Sequence, residues 1–211
     1  MNRTRLALYA CAMMLAGCMH ATKANFPRHY TLGTTAPSLD DRHDATSAHG
    51  KILQIPSITV PEWLAGTAMY YRLDYRGDNR LSAYANSDWI APPATLLEPL
   101  LQRTIVAGGG WRAVIGPRNP ASADASLQIR LDDFSQAFSQ PGQSHVAIDA
   151  TATLIDNHDD GVIAQKHFRI EMATPGANAE GGAKALGEAA GQFAAQVQQW
   201  LELATATAPA R

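Results

Sequence analysis

Apolar positions along this chain repeat with two periods, and the switches between them divide it into strands and helices. Residues 29–32 form a first short strand, and 34–50 carry Thr, Ser, Asp, Pro and His without apolar period, which predicts a loop. Residues 52–60 place β-branched Ile52, Ile55, Ile58 and Val60 on a pleated surface, with Pro56 making that strand an edge or a bulged one. A turn over 61–64 leads to a strand over 69–75, with Tyr71, Leu73 and Tyr75 on one face and Tyr70, Arg72 and Asp74 on the other. Gly77-Asp78-Asn79 turns it into a strand over 80–84, a hairpin.

The period then changes. From Pro93, suited to a first helical turn, Leu96, Leu97, Leu100, Leu101, Thr104 and Ile105 recur at helical spacing. Pro99 falls near the helix start or bends it, and the glycines at 108–110 end it. A strand over 111–115 and a loop over 116–124 precede a three-strand meander. In it Leu127, Ile129 and Leu131 alternate, and a phase shift to Phe134 hints at a bulge. Val146, Ile148, Ala150, Ala152 and Leu154 mark the second strand; Val162, Ala164, Phe168, Ile170 and Met172 mark the third. After a linker over 174–182, a helix over 183–203 carries Leu186, Ala190, Phe193, Val197, Trp200 and Ala204 as one stripe, and residues 205–211 are a frayed tail. Gly187 and Gly191 weaken that helix or let it pack closely. The prediction is an α+β domain over 29–204, a largely antiparallel sheet with two helices packed on one face.

The N-terminus has a different pattern. Arg3 and Arg5 precede an apolar run over 6–15, too short for a bilayer, which needs about 20 residues. It predicts an export leader over 1–17. The block Leu15-Ala16-Gly17-Cys18 resembles a bacterial lipobox, which implies cleavage before Cys18 and lipid attachment to it. Residues 18–28 become the lipidated terminus and tether. One acyl chain binds a membrane marginally and two or more hold stably. Met19 follows, where Asp would retain such lipoproteins in the inner membrane; the resemblance thus implies the outer membrane, periplasmic face.

Composition narrows the functions. Loss of Arg3 and Arg5 takes 17 basic residues to 15 against 19 acidic ones, so the net charge moves from −2 to −4. That argues against nucleic acid as a partner. The two cysteines are Cys11, in the leader, and Cys18, so the mature chain has no disulfide and no thiolate site. Asp40, Asp41, His43, Asp44 and His49 match no metal-ligand spacing, and no cofactor is expected. The triple glycine follows a helix and lacks the lysine of a phosphate loop. Asp132 and Asp133 with His145 and Asp149 are the best acid–base candidates, but two adjacent residues of a regular strand point to opposite faces. No nucleophile elbow and no His-Glu-x-x-His helix occurs.

Tyr30-Thr31-Leu32, residues 52–60, Pro61-Glu62-Trp63-Leu64, Tyr71-Arg72, Asn79-Arg80-Leu81 and Trp89 follow in order before a proline and a Leu-rich helix. Leu127-Gln128-Ile129 with Phe134, the hairpin through Gly161, Phe168-Arg169-Ile170 and the alanine-rich last helix complete the series. This order resembles the ABC-type transport auxiliary lipoproteins, the PqiC-like family. The departure is Ala91, where the family often has an acid. The resemblance implies a non-catalytic accessory subunit of an envelope transporter. Its partners would be an MCE-type periplasmic protein and an ABC permease and ATPase, in lipid transport between the two membranes. A homo-oligomer is compatible with it. Trp63, Tyr70, Tyr84 and Trp89 are the candidate partner contacts, because aromatic side chains are enriched at interface hot spots. The alternative is an envelope-stabilising or assembly lipoprotein without a transporter. Mass spectrometry of the mature N-terminus tests the anchor: acyl chains on residue 18 are expected, and an unmodified residue there overturns it.

Overall fold

A computed structural model of the chain describes residues 26–33 and 50–207. Cys18, the leader, the loop carboxylates and histidines at 40–49, and residues 208–211 lie outside them. Eight strands form one sheet: β1 (Arg28–Tyr30), β2 (Ile52–Gln54), β3 (Ala68–Arg72), β4 (Leu81–Trp89), β5 (Ala113–Ile115), β6 (Ala125–Gln140), β7 (Gln143–Asp156) and β8 (Val162–Ala173). Two helices, α1 (Pro93–Gly108) and α2 (Ala179–Thr207), join them, with short 3-10 turns at Glu62–Leu64 and Asp74–Arg76. The α+β class holds.

The sheet is mixed rather than largely antiparallel. β3 pairs antiparallel with β4, β6 with β7, and β7 with β8. The other four pairings are parallel: β1 with β4, β2 with β5, and β6 with both β2 and β3. The physical reason is the length of β6. Its 16 residues span about 50 Å at ~3.3 Å each, too long for one short neighbour. The chain from Ile52 to Arg72 therefore runs beside β6 in instalments. Leu53 sits beside Ala125, Thr59 bridges Arg130, and Tyr70 sits beside Ser135. The run predicted as one strand over 52–60 is accordingly interrupted after Gln54. Pro56, without a donor, lies in the gap, and β2 is not an edge, since β5 and β6 flank it. The strand predicted to reach Tyr75 ends at Arg72, and the one predicted over 80–84 continues to Trp89.

The core lies between the sheet and the helices. β6 and β7 turn Leu127, Ile129, Leu131 and Phe134 to that side, opposite Leu154, Ala152, Ala150 and Ile148. The expected bulge falls between Leu131 and Asp133, and it lets Phe134 rejoin the apolar face. The expected stripe of α2 is buried throughout, and Phe193 and Trp200 meet Phe168 edge-on at 5.6 and 6.0 Å. α2 begins at Ala179 and runs to Thr207, so it absorbs part of the predicted linker and part of the predicted tail. Asn178 caps its start through a bond from Gly181 N–H to Oδ1, 2.8 Å. α1 buries Leu97, Leu100, Leu101 and Ile105 and keeps Pro99 inside the helix on an exposed position.

Of the two readings of Gly187, close packing holds. A Cβ there would stand 2.5 Å from the carbonyl oxygen of Leu32, which follows β1. Gly187→Ala is expected to destabilise the domain by about 1–3 kcal/mol, read as a lowered urea midpoint. Gly66→Ala, whose Cβ meets nothing within 4 Å, should leave the midpoint near its original value.

Candidate functional site

The face of the sheet away from the helices carries a row of charged side chains. Tyr70 and Arg72 of β3 share it with Asp133 and Ser135 of β6, because the register sets Tyr70 beside Ser135. Trp63, in the 3-10 turn before β3, meets the Tyr70 ring edge-on at 5.2 Å. Both are half-buried. Arg72 Nη1 donates to Asp133 Oδ2 at 2.8 Å. The register then sets Asp133 opposite Asp149, which receives His167 Nε2 at 2.6 Å. Arg169 Nε donates to Glu171 at 2.8 Å. That hydrogen bond and charge hold the Glu171 carboxyl below its ordinary range and raise Arg169. The result is a row of compensated charges across β3, β6, β7 and β8.

The acid–base candidates are distributed by this row. The bulge separates Asp132 from Asp133; Asp132 is bound by Arg130 Nε at 2.9 Å, and Asp133 by Arg72. Asp149 does meet Asp133 in register, but its nearest polar partner is His167. His145 stands across from Ala137 and Ala173 and makes no side-chain bond to these carboxylates among the described residues. Each carboxylate of the set is thus held by its own cationic or imidazole partner. Among the described residues no group of three His, Cys, Asp or Glu side chains stands close enough to hold a metal.

The four aromatic candidates separate. Trp63 and Tyr70 form the half-buried pair just described. Tyr84 faces the helix side, stacked obliquely on Tyr71 at 4.7 Å, and its hydroxyl donates to Gln136 Oε1 at 2.9 Å. Gln136 is 1% exposed, and its Nε2 donates to Ser144 Oγ at 2.8 Å. Ser144 in turn shares a 2.6 Å bond with Thr174. Burial first, and Tyr71 second, push the Tyr84 phenol from 10.0 up to about 12. Trp89 is 1% exposed and packs on Phe134 with rings 5.4 Å apart, so the expectation of a surface contact at Trp89 is corrected. Its indole fills core space that the sequence pattern at the end of β4 does not announce.

Two open clefts flank the sheet. One, of about 670 Å³, lies between the first turn of α1 and residues 116–120, where Glu98 Oε1 accepts from Ile58 N–H at 3.2 Å. The other, of about 540 Å³, lies between residues 29–33 and α2. The charge row was readable only in part. His167, Arg169 and Glu171 alternate along one strand and so share a face by period; their register with Asp149 was not written in any local pattern. Asp124 was missed: it receives Ile52 N–H at 2.6 Å, and that bond, before the nearby His158, Arg112 and Lys51, lowers its carboxyl.

The model of a family described as ABC-type transport auxiliary lipoprotein component matches residues 30–198. No curated protein matches the chain. A solved structure from Xanthomonas campestris, assigned to the DUF330 family, is 19% identical at a TM-score of 0.65, over 74% of this chain and 85% of its own. A second, of an uncharacterised protein, is 16% identical at 0.64, over 83% and 99%. These two likenesses speak for the fold.

The Tyr84 phenol yields a pH test. Its folded value lies above the ordinary one, so its contribution to stability is complete below pH about 10 and is lost as pH rises toward about 12. An ultraviolet titration of the folded domain should show one late phenol, absent in Tyr84→Phe. A wild-type titration without a late component overturns this.

Proposed function

The chain belongs to the ABC-type transport auxiliary lipoprotein component family, and from that premise we propose that it is the non-catalytic, membrane-anchored subunit of an ABC/MCE-type envelope transporter. The observation that carries this is the reach of the family match, from the last residue of β1 to deep within α2, so it touches every strand and both helices of the described fold. The leader and Cys18 supply the anchor, and Met19 directs the protein to the outer membrane, periplasmic face. Among the described residues no helix is long and apolar enough to cross a membrane. The domain's work in this reading is contact: it receives the periplasmic end of the conduit while acyl chains hold it at the bilayer.

Trp63 and Tyr70 are the proposed anchors of that contact. They are aromatic, partly exposed and mutually braced, and Arg72 stands two residues on along the same face. Their surroundings suit a protein partner better than a lipid tail, since the neighbouring charges are already paired and need no large desolvation. Trp89 drops out of the contact set because it is buried.

A photo-crosslinking residue at position 63, in the full-length lipoprotein and its native envelope, tests this. Capture of an MCE-type protein or permease is expected. Capture of other outer-membrane machinery alone would favour the envelope-assembly alternative and sink the transporter reading. Trp89→Ala should instead lower stability, by about 3–5 kcal/mol, through the cavity it leaves.

A further inference from the structure

The length of chain between Cys18 and β1 sets which way the domain stands on its membrane; this rests on the anchor reading above. From Cys18 to Phe26 there are eight residue steps. Fully extended, they reach about 26–29 Å. Phe26 is 78% exposed at the point where the described chain starts. β1 lies parallel to β4 at the sheet's edge, Arg28 beside Ser87. Ala83 of β4 sits beside Tyr70, and Tyr70 beside Ser135. Traced back from Arg28, the incoming chain at Phe26 is therefore about level with Ser135 of β6.

That level is not central. Ser135 stands ten residues from the Ala125 end of β6 and five from the Gln140 end. At ~3.3 Å per residue these are about 33 and 17 Å. The eight-residue tether passes the nearer end with length to spare and falls short of the farther one. The direction of the chain agrees: β1 runs antiparallel to β6, so Phe26 and Pro27 enter it from the Gln140 side.

We propose that the end of the sheet formed by the Asp78–Arg80 and Pro141–Gly142 turns lies against the headgroups of the bilayer, and that the Asn157–Gly161 turn points away from it. The side chains at the near end suit that surface. Tyr75 is 43% exposed, and the guanidinium of Arg76 stands 6.0 Å from its ring centre, an aromatic and a cation of the kinds that settle at headgroup depth. That end also carries Asp74 and Asp78, each paired with an arginine, and the far end carries Asp124, Asp156 and His158, with Lys51 and Arg112 near Asp124. This orientation sends the turn between β7 and β8 outward by about 50 Å, while Trp63 and Tyr70, level with Ser135, stand about 17 Å from the headgroup end.

The mature chain has no cysteine apart from the proposed lipid site, so single probes are clean. Full-length protein carrying Gln140→Cys or His158→Cys, each with a fluorophore, is placed in phosphatidylethanolamine and phosphatidylglycerol vesicles with a headgroup quencher. Quenching several-fold stronger at 140 than at 158 is expected. Equal quenching, or stronger quenching at 158, in protein whose N-terminal mass shows acyl chains overturns the orientation alone. An N-terminus without acyl mass overturns the anchor and the orientation with it. Circular dichroism of both variants confirms that they fold.

Discussion

One burial holds the domain together: α2 lying along the helix-facing side of β7 and β8. The strand side offers Val146, Ile148, Ala150, Ala152 and Leu154, and the helix offers Leu186, Ala189, Ala190, Phe193, Ala194 and Val197, all buried. Alanines on both surfaces let the helix approach closely, and Phe168 with Phe193 and Trp200 fills the space where it does not. A fully buried Phe or Val contributes about 1.5–3 kcal/mol, so this one interface carries a large part of the folding free energy. α1 reaches the sheet mainly through it: Gly108 abuts Gln198 so closely that a Cβ would have no room.

The long β6 is the second consequence of that arrangement. A strand long enough to serve α2 on one side outruns any single partner on its other edge. The chain between Ile52 and Arg72 covers that edge piecewise, and parallel pairing follows because β2 and β3 run the same way as β6. The opposite face then has no helix to cover it. Paired charges stand there, Arg72 with Asp133 and Asp149 with His167. Such a row is tolerable half in water.

In the proposed function this molecule works by placement rather than bond-making. The family match, the lipobox-like N-terminus and the half-buried Trp63–Tyr70 pair are what the proposed module between a bilayer and a protein rests on. The tether length converts that description into an orientation. In the proposed orientation the short tether keeps the Pro141–Gly142 end near the headgroups, and the long strands β6 and β7 set the Asn157–Gly161 end far from them.

Sequence alone determined the local half of this structure. The period of two marked β6, β7 and β8; the slip from Leu131 to Phe134 marked the bulge; the stripe from Leu186 to Ala204 marked α2; Leu15-Ala16-Gly17-Cys18 marked the proposed anchor. Each is a statement about neighbours within one element, where spacing dictates the face. Which strands adjoin which was decided only by tertiary structure, and so the sheet came out mixed. The same cause buried Trp89, turned Tyr84 inward onto Gln136 and matched Asp133 to Arg72. An aromatic or a carboxylate reads the same in sequence whether it faces solvent or a partner brought from sixty residues away, and only long-range register tells the two apart.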